Sequence, residues 1–174
     1  MLPAHLNYKI SNIKISFQYF EKIFVNEKVS PYLNYHSKNI HIIKFDQYTA
    51  CLMRGDTFCN LTGVKNIIQL LECLKKICLI TNIIESNIFY KVDTITVGFD
   101  VQPGLKQAII EQSGKYGFIF EVKLKFCGLC LRHNVMDKAV LIYFQSGKCN
   151  LLGSRSFEHV KRNVLFIKNF LNKI

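Results

Sequence analysis

The sequence predicts an α+β fold in which two copies of one pattern build a continuous antiparallel sheet with four helices on one face. Three observations lead there. The string Cys-Asn-Leu-x-Gly occurs twice, at Cys59–Gly63 and ninety positions later at Cys149–Gly153. Each copy lies in a half that opens with alternating apolar and polar residues. Each is followed by a stretch whose apolar residues recur at spacings of three and four. A fixed period of this size is read as two repeats, placed at residues 1–84 and 85–174 and joined as one structural unit.

The elements follow in order. "YKISNIKISF" (Tyr8 to Phe17) and "YKVDTITVGFDV" (Tyr90 to Val101) read as half-buried opening strands. A short helix is expected after each. In the second repeat Pro103 suits the first turn, Leu105, Ala108 and Ile109 share a face, and Ser113-Gly114 is the expected stop. In the first repeat it is placed near Tyr19, Phe20, Ile23 and Phe24. β-rich meanders come next: "NIHIIKFD", "YTACLMR" and "FCNLTG", then "GFIFEVKLKF", "CGLCLRH", "KAVLIYF" and "KCNLLG". Gly55-Asp56 and Ser146-Gly147 sit between apolar runs as hairpin turns do. A longer amphipathic helix closes each repeat, with expected seams Ile67, Leu70, Leu71, Leu74, Ile77, Cys78 and Phe157, Val160, Val164, Ile167, Leu171. Helices on one sheet face leave the other open to solvent or a ligand.

Charge narrows the function. Lys and Arg total 23 against 12 acids, a formal net charge of +11. That surplus attracts polyanions, nucleic acid first and an anionic membrane second. With no run of 18 apolar residues, no membrane span is expected, and the N-terminus does not read as a signal peptide. A reducing compartment is therefore expected for the seven cysteines. Cys51, Cys73, Cys78 and Cys149 read as small core residues. Cys127 and Cys130 form a lone C-x-x-C, which without a second pair does not predict a metal site. A pseudo-twofold basic protein matches a partner of the same symmetry, as duplex DNA has.

The order, spacing and motifs of the chain resemble the TATA-binding protein family from about Tyr8 to Ile174. "YFQSGKCNLLGSR" and "LMRGDTFCNLTGVK" stand where that family has "IF-x-SGK-x-x-x-TGAK" near the end of each repeat. "KFCGLCLR" (Lys125 to Arg132) stands in place of "LFPGLIYR". The resemblance implies a saddle-shaped, pseudo-twofold sheet with its helices on the convex face. It implies a non-enzymatic transcription initiation factor that binds AT-rich promoter DNA through the minor groove and bends it. No cofactor is implied. The implied partners are double-stranded DNA, other initiation factors and RNA polymerase, with the protein a monomer on DNA.

The family's pattern carries over residue by residue. Its apolar wedges, which insert between base steps, fall on Phe126 and Phe144 in the second repeat. In the first, Arg54 takes the place of Phe144, or Met53 if the turn holds one more residue, and the other wedge falls near His36 to Lys38. Bending is therefore expected to be one-sided or weaker. The central groove-contacting Asn matches Asn12 in the first repeat and is Thr94 in the second. Thr62 lies on a base-contacting Thr whose mate is Leu152. Asn60 and Asn150 stand where the family favours Val, a more polar floor. Lys44, Lys65, Arg132, Lys148 and Arg155 match phosphate-contacting positions, while Phe58 replaces the Lys of "SGK". The second stirrup, near "YGFIFEVKLK", is basic where the family's is acidic, which puts binding of a standard transcription factor IIB in doubt.

Two other readings stand beside this one. The first is a scaffold that keeps the fold, has lost DNA bending and works through protein contacts. The second is an enzyme on the same fold, against which no carboxylate pair, His-Cys arrangement or phosphate-cradling loop stands out. The Asn, Lys and Ile content points to an AT-rich genome, such as that of a large DNA virus or a protist. The expected location is the nucleus, or a cytoplasmic replication site if viral.

Overall fold

The computed structural model describes residues 7–19, 33–36, 40–45, 48–53, 58–81, 88–122 and 126–174. The chain divides into two compact units, one of Asn12–Asp93 and one of Met1–Ser11 with Thr94–Ile174. The dividing points fall inside the opening strand of each repeat.

The first unit takes β1 (Lys9–Tyr19), β2 (Leu33–His36), β3 (Ile40–Phe45), β4 (Tyr48–Met53), β5 (Phe58–Val64) and α1 (Ile67–Thr81). Its strands lie in the order β2-β3-β4-β5-β1, each neighbour antiparallel. The second takes β6 (Ile88–Asp100) from Thr94 on, residues 88–93 belonging to the first unit, α2 (Lys106–Ser113), β7 (Ile119–Val122), β8 (Leu129–Arg132), β9 (Val140–Tyr143), β10 (Lys148–Ser154) and α3 (Phe157–Leu171). Its order is the same, β7-β8-β9-β10-β6, again antiparallel.

Of the four expected helices, three are found among the described residues. The fourth, around Phe20, Ile23 and Phe24, lies outside them, as does the Gly55-Asp56 turn; Tyr19 belongs to β1. The short helix of the second repeat starts later than expected and ends at Ser113 with Gly114 as its cap, as expected. Pro103 precedes it by three residues, and after Ser113 the chain continues as a 3-10 turn over Gly114–Tyr116. Gly117, at φ 73°, stops that turn, because a left-handed residue with no Cβ ends the helical path without strain.

Alternation puts one side of each strand in the core. Ile13, Ile15, Phe17, Cys59 and Leu61 are buried in the first unit. Ile95, Val97, Phe99, Leu129, Leu131, Leu141, Tyr143, Cys149 and Leu151 are buried in the second. The closing helices cover these sides: the Lys76 ammonium of α1 lies 5.7 Å from the centre of the Phe45 ring, and that of Lys168 in α3 6.0 Å from Phe99.

The helix seams differ from those expected. α1 buries Leu70, Cys73, Leu74, Ile77, Ile80 and Thr81, while Ile67 and Leu71 are exposed and Cys78 is half-buried. α3 buries Val160, Asn163, Val164, Ile167, Phe170 and Leu171, and Phe157 is exposed. α1 has no acid in its first turn and no base in its last, so complementary charge at its ends adds nothing. Burial holds it in place, at roughly 1.5–3 kcal/mol for each large aliphatic side chain. Cys59 and Cys130 join Cys73 and Cys149 among the buried thiols. Burial pushes Cys73 and Cys149 up to about 12, the second with help from the Asp100 charge, so both stay protonated and unreactive near neutral pH.

Candidate nucleic-acid interface

The repeated Cys-Asn-Leu-x-Gly has a structural cause. Between Ile13 and Ile15 of β1 the facing strand β5 advances from Val64 to Leu61, one residue more than its partner. Between Val97 and Ile95 of β6, β10 advances from Leu151 to Ser154 in the same way. Each is a β-bulge, and each places its glycine at positive φ, Gly63 at 95° and Gly153 at 94°. A bulge leaves a backbone N–H without its ladder partner. Here the opposite strand supplies one: Gly63 N–H donates to Asn12 Oδ1 at 2.6 Å, and Gly153 N–H donates to Thr94 Oγ1 at 3.0 Å.

These two bonds orient the residues expected to face DNA. Asn12 Oδ1 also accepts from the Thr62 hydroxyl at 3.2 Å, which turns its NH2 group outward. Thr94 uses an oxygen lone pair and keeps its O–H to donate. Asn60, between buried Cys59 and Leu61, stands on the same open side, its side-chain amide 3.3 Å from Ser16 Oγ. The single Ser16 hydroxyl proton goes to its nearer acceptor, the Asp93 Oδ2 carboxylate oxygen. The equivalent Asn150 faces Gly98, which offers no side chain to hold it. Leu152 lies opposite Val140. All six floor residues are at least partly accessible.

The second unit brings Phe126 and Phe144 together. Their ring centres are 6.0 Å apart with planes at 68°, an edge-to-face pair, and Phe126 is 37% exposed. Gly128 makes the arrangement possible: a Cβ there would stand 2.6 Å from Ile142 Cγ2 and 2.7 Å from Phe126 Cε1. Gly147 holds the other partner. At φ 83° it closes the turn in which its N–H donates to the Phe144 carbonyl at 2.9 Å, and a Cβ would collide with the Val101 carbonyl. In the first unit Arg54 lies outside the described residues, and of Met53 only the backbone, opposite Ile40, is described.

Lys44, Lys65, Arg132, Lys148 and Arg155 are all exposed. Lys44 projects between buried Ile43 and Phe45, hence on the open side of its sheet. Lys65 and Arg155 occupy equivalent places just before α1 and α3. Lys14 was not expected here. It stands exposed between buried Ile13 and Ile15, on the same side as Asn12 and Ser16; the alternation "NIKIS" already contains that signal. Among the described residues no group of three or more His, Cys, Asp or Glu could hold a metal ion. No described helix is long and apolar enough to cross a membrane.

No family model and no curated protein sequence matches the chain. Among solved structures, Methanococcus jannaschii TBP matches over 97% of this chain and 99% of its own, with a TM-score of 0.77 and 22% sequence identity. The chain has a TBP-like fold.

Proposed function

We propose that the protein binds AT-rich duplex DNA through the minor groove and bends it, as a transcription initiation factor. The observation that carries this reading is the open side of the sheets. Two of its polar groups are turned to donate: the Asn12 amide and the Thr94 hydroxyl have their oxygens engaged by the Gly63 and Gly153 N–H groups. The minor groove of A·T pairs shows only acceptors, while G·C adds a donor that such a floor repels. Phe126 and Phe144 stand ready as an apolar wedge, and a net charge of +11 supplies the attraction to phosphates. The protein acts without catalysis or cofactor, as a monomer on DNA that recruits other initiation factors and RNA polymerase, in the nucleus or at a viral replication site.

A second reading, a scaffold working through protein contacts, draws on α1, where Ile68 is 66% and Leu79 78% exposed. Gel shifts and end-to-end fluorescence transfer on AT-rich and GC-rich duplexes separate the two. Minor-groove binding is expected to favour the AT-rich duplex, to be displaced by a minor-groove drug, and to weaken with salt at a slope of about −0.9 per phosphate contacted. Absence of binding at low salt leaves the scaffold.

A further inference from the structure

The first unit has no counterpart to the Phe126 and Phe144 pair at the matching positions, but it exposes an aromatic ring elsewhere. Phe89, near the start of β6, is 68% exposed. Among the described residues of this unit, the other large apolar side chains in the open lie on α1, apart from Tyr90 beside it. Cost alone makes such a ring notable, since an exposed Phe on a sheet forgoes its burial energy.

Its direction follows from its neighbours. The Tyr90 ring lies 6.5 Å from that of Phe17, which is fully buried, so Tyr90 points to the core side. From Tyr90 to Asp93 alternation sends Phe89 the other way, together with Lys91 and Asp93; the phase of β6 breaks between Asp93, bonded to Ser16 on the open side, and Ile95, which has the same parity but is buried with Val97 and Phe99. Asp93 confirms that side independently, because its carboxylate accepts from Ser16, whose other neighbour is Asn60 of the open floor. Phe89 therefore shares a face with Asn12, Lys14, Ser16 and Asn60, and exposed Lys91 follows it on the same side.

We infer that Phe89 is a DNA-contacting residue of the first unit, stacking on a base step exposed in the minor groove beside a phosphate held by Lys91. This rests on the DNA-binding reading and deepens it. The occupant is DNA because the ring shares a side with the Asn12 donor and is followed on that side by the exposed cation Lys91, which a protein's apolar helix would not call for. The ring supplies the flat apolar surface that a base needs and a hydrogen-bonding floor lacks.

The chain contains no tryptophan, so Phe89→Trp places a single reporter at the site. In the free protein its emission is expected at the solvent-exposed wavelength, and an AT-rich duplex is expected to quench it and shield it from acrylamide. Phe89→Ala is expected to weaken binding about tenfold, to keep most of the bend, and to leave the thermal melt unchanged. Lys148→Ala serves as the control for DNA binding through the second unit. Binding that Lys148→Ala weakens while Phe89→Ala matches the unaltered protein and Phe89→Trp is not quenched overturns the role of Phe89 and leaves DNA binding standing. Blue-shifted emission from free Phe89→Trp overturns it as well, by showing a buried ring. No binding by the unaltered protein sinks both readings together.

Discussion

The two units share their core step for step and part company on their open sides. The six residues that α1 buries and the six that α3 buries are pairwise ninety positions apart, from Leu70 and Val160 to Thr81 and Leu171. Helix starts match as well: Asn66 Oδ1 accepts from Gln69 N–H, and Ser156 Oγ from His159 N–H. Both bulges carry glycine at nearly equal φ. Yet one open side displays an aromatic pair seated on Gly128, and the other a Ser16–Asp93–Asn60 network with lysines. Packing constrains a buried position from all directions, so the core retained its pattern. An exposed position answers to whatever it touches, so the two faces were free to diverge.

This comparison can be broken at several points. Gly153→Ala is expected to cost most in stability, about 3 kcal/mol, since it adds backbone strain at φ 94° to a Cβ only 2.9 Å from the Lys138 carbonyl oxygen. Gly63→Ala is expected to cost about 1–2 kcal/mol from its backbone conformation. Urea unfolding of both measures this, and a benign Gly153→Ala would refute the shared bulge. Phe144→Ala is expected to remove most of the bend and about 2 kcal/mol of DNA affinity, with little change in the melt. Fluorescence transfer beside melting curves decides it, and an unfolded variant would mean that Phe144 belongs to the core.

Smaller effects sharpen the picture. Asn12→Ala is expected to cost about 1–2 kcal/mol of stability, because two donors lose their acceptor. Thr94→Ala is expected to cost about 1 kcal/mol for its single bond. The reverse ranking in urea melts would assign the heavier anchoring to the second unit. Smallest are the cations. Lys44→Ala and Lys148→Ala are each expected to lower the slope of log affinity against log salt by about 1, without changing the melt or the preference among duplexes. A changed preference would place that residue at a base edge rather than a phosphate.

Much of this was legible in the residues. Alternation located nine of the ten described strands to within a few positions, missing only the short β2 at Leu33–His36, and the doubled Cys-Asn-Leu-x-Gly disclosed the repeat. Phe126 and Phe144 were identified as a pair eighteen positions apart in sequence, and the fold places their rings in contact distance. The seam of α1 was misjudged for a definite reason. "IIQLLECLKKICLIT" is apolar nearly all round, so periodicity alone offers two stripes, and only contact with the sheet selects the one through Cys73 and Ile80. α3, with charges on its outer side, left less freedom, although Phe157 was still misplaced.

The sequence by itself determined the repeat, the strand and helix segments, the positive charge and the residue types on each strand side, because these depend on local alternation and composition. Only the tertiary structure decided which way the polar side chains turn. Asn12 and Thr94 read alike as hydrogen-bonding residues on a strand, able to donate or accept. Folding brings the bulged N–H of Gly63 and Gly153 against them. An unpaired backbone donor must find an acceptor, so it takes their oxygens and leaves their donors facing outward.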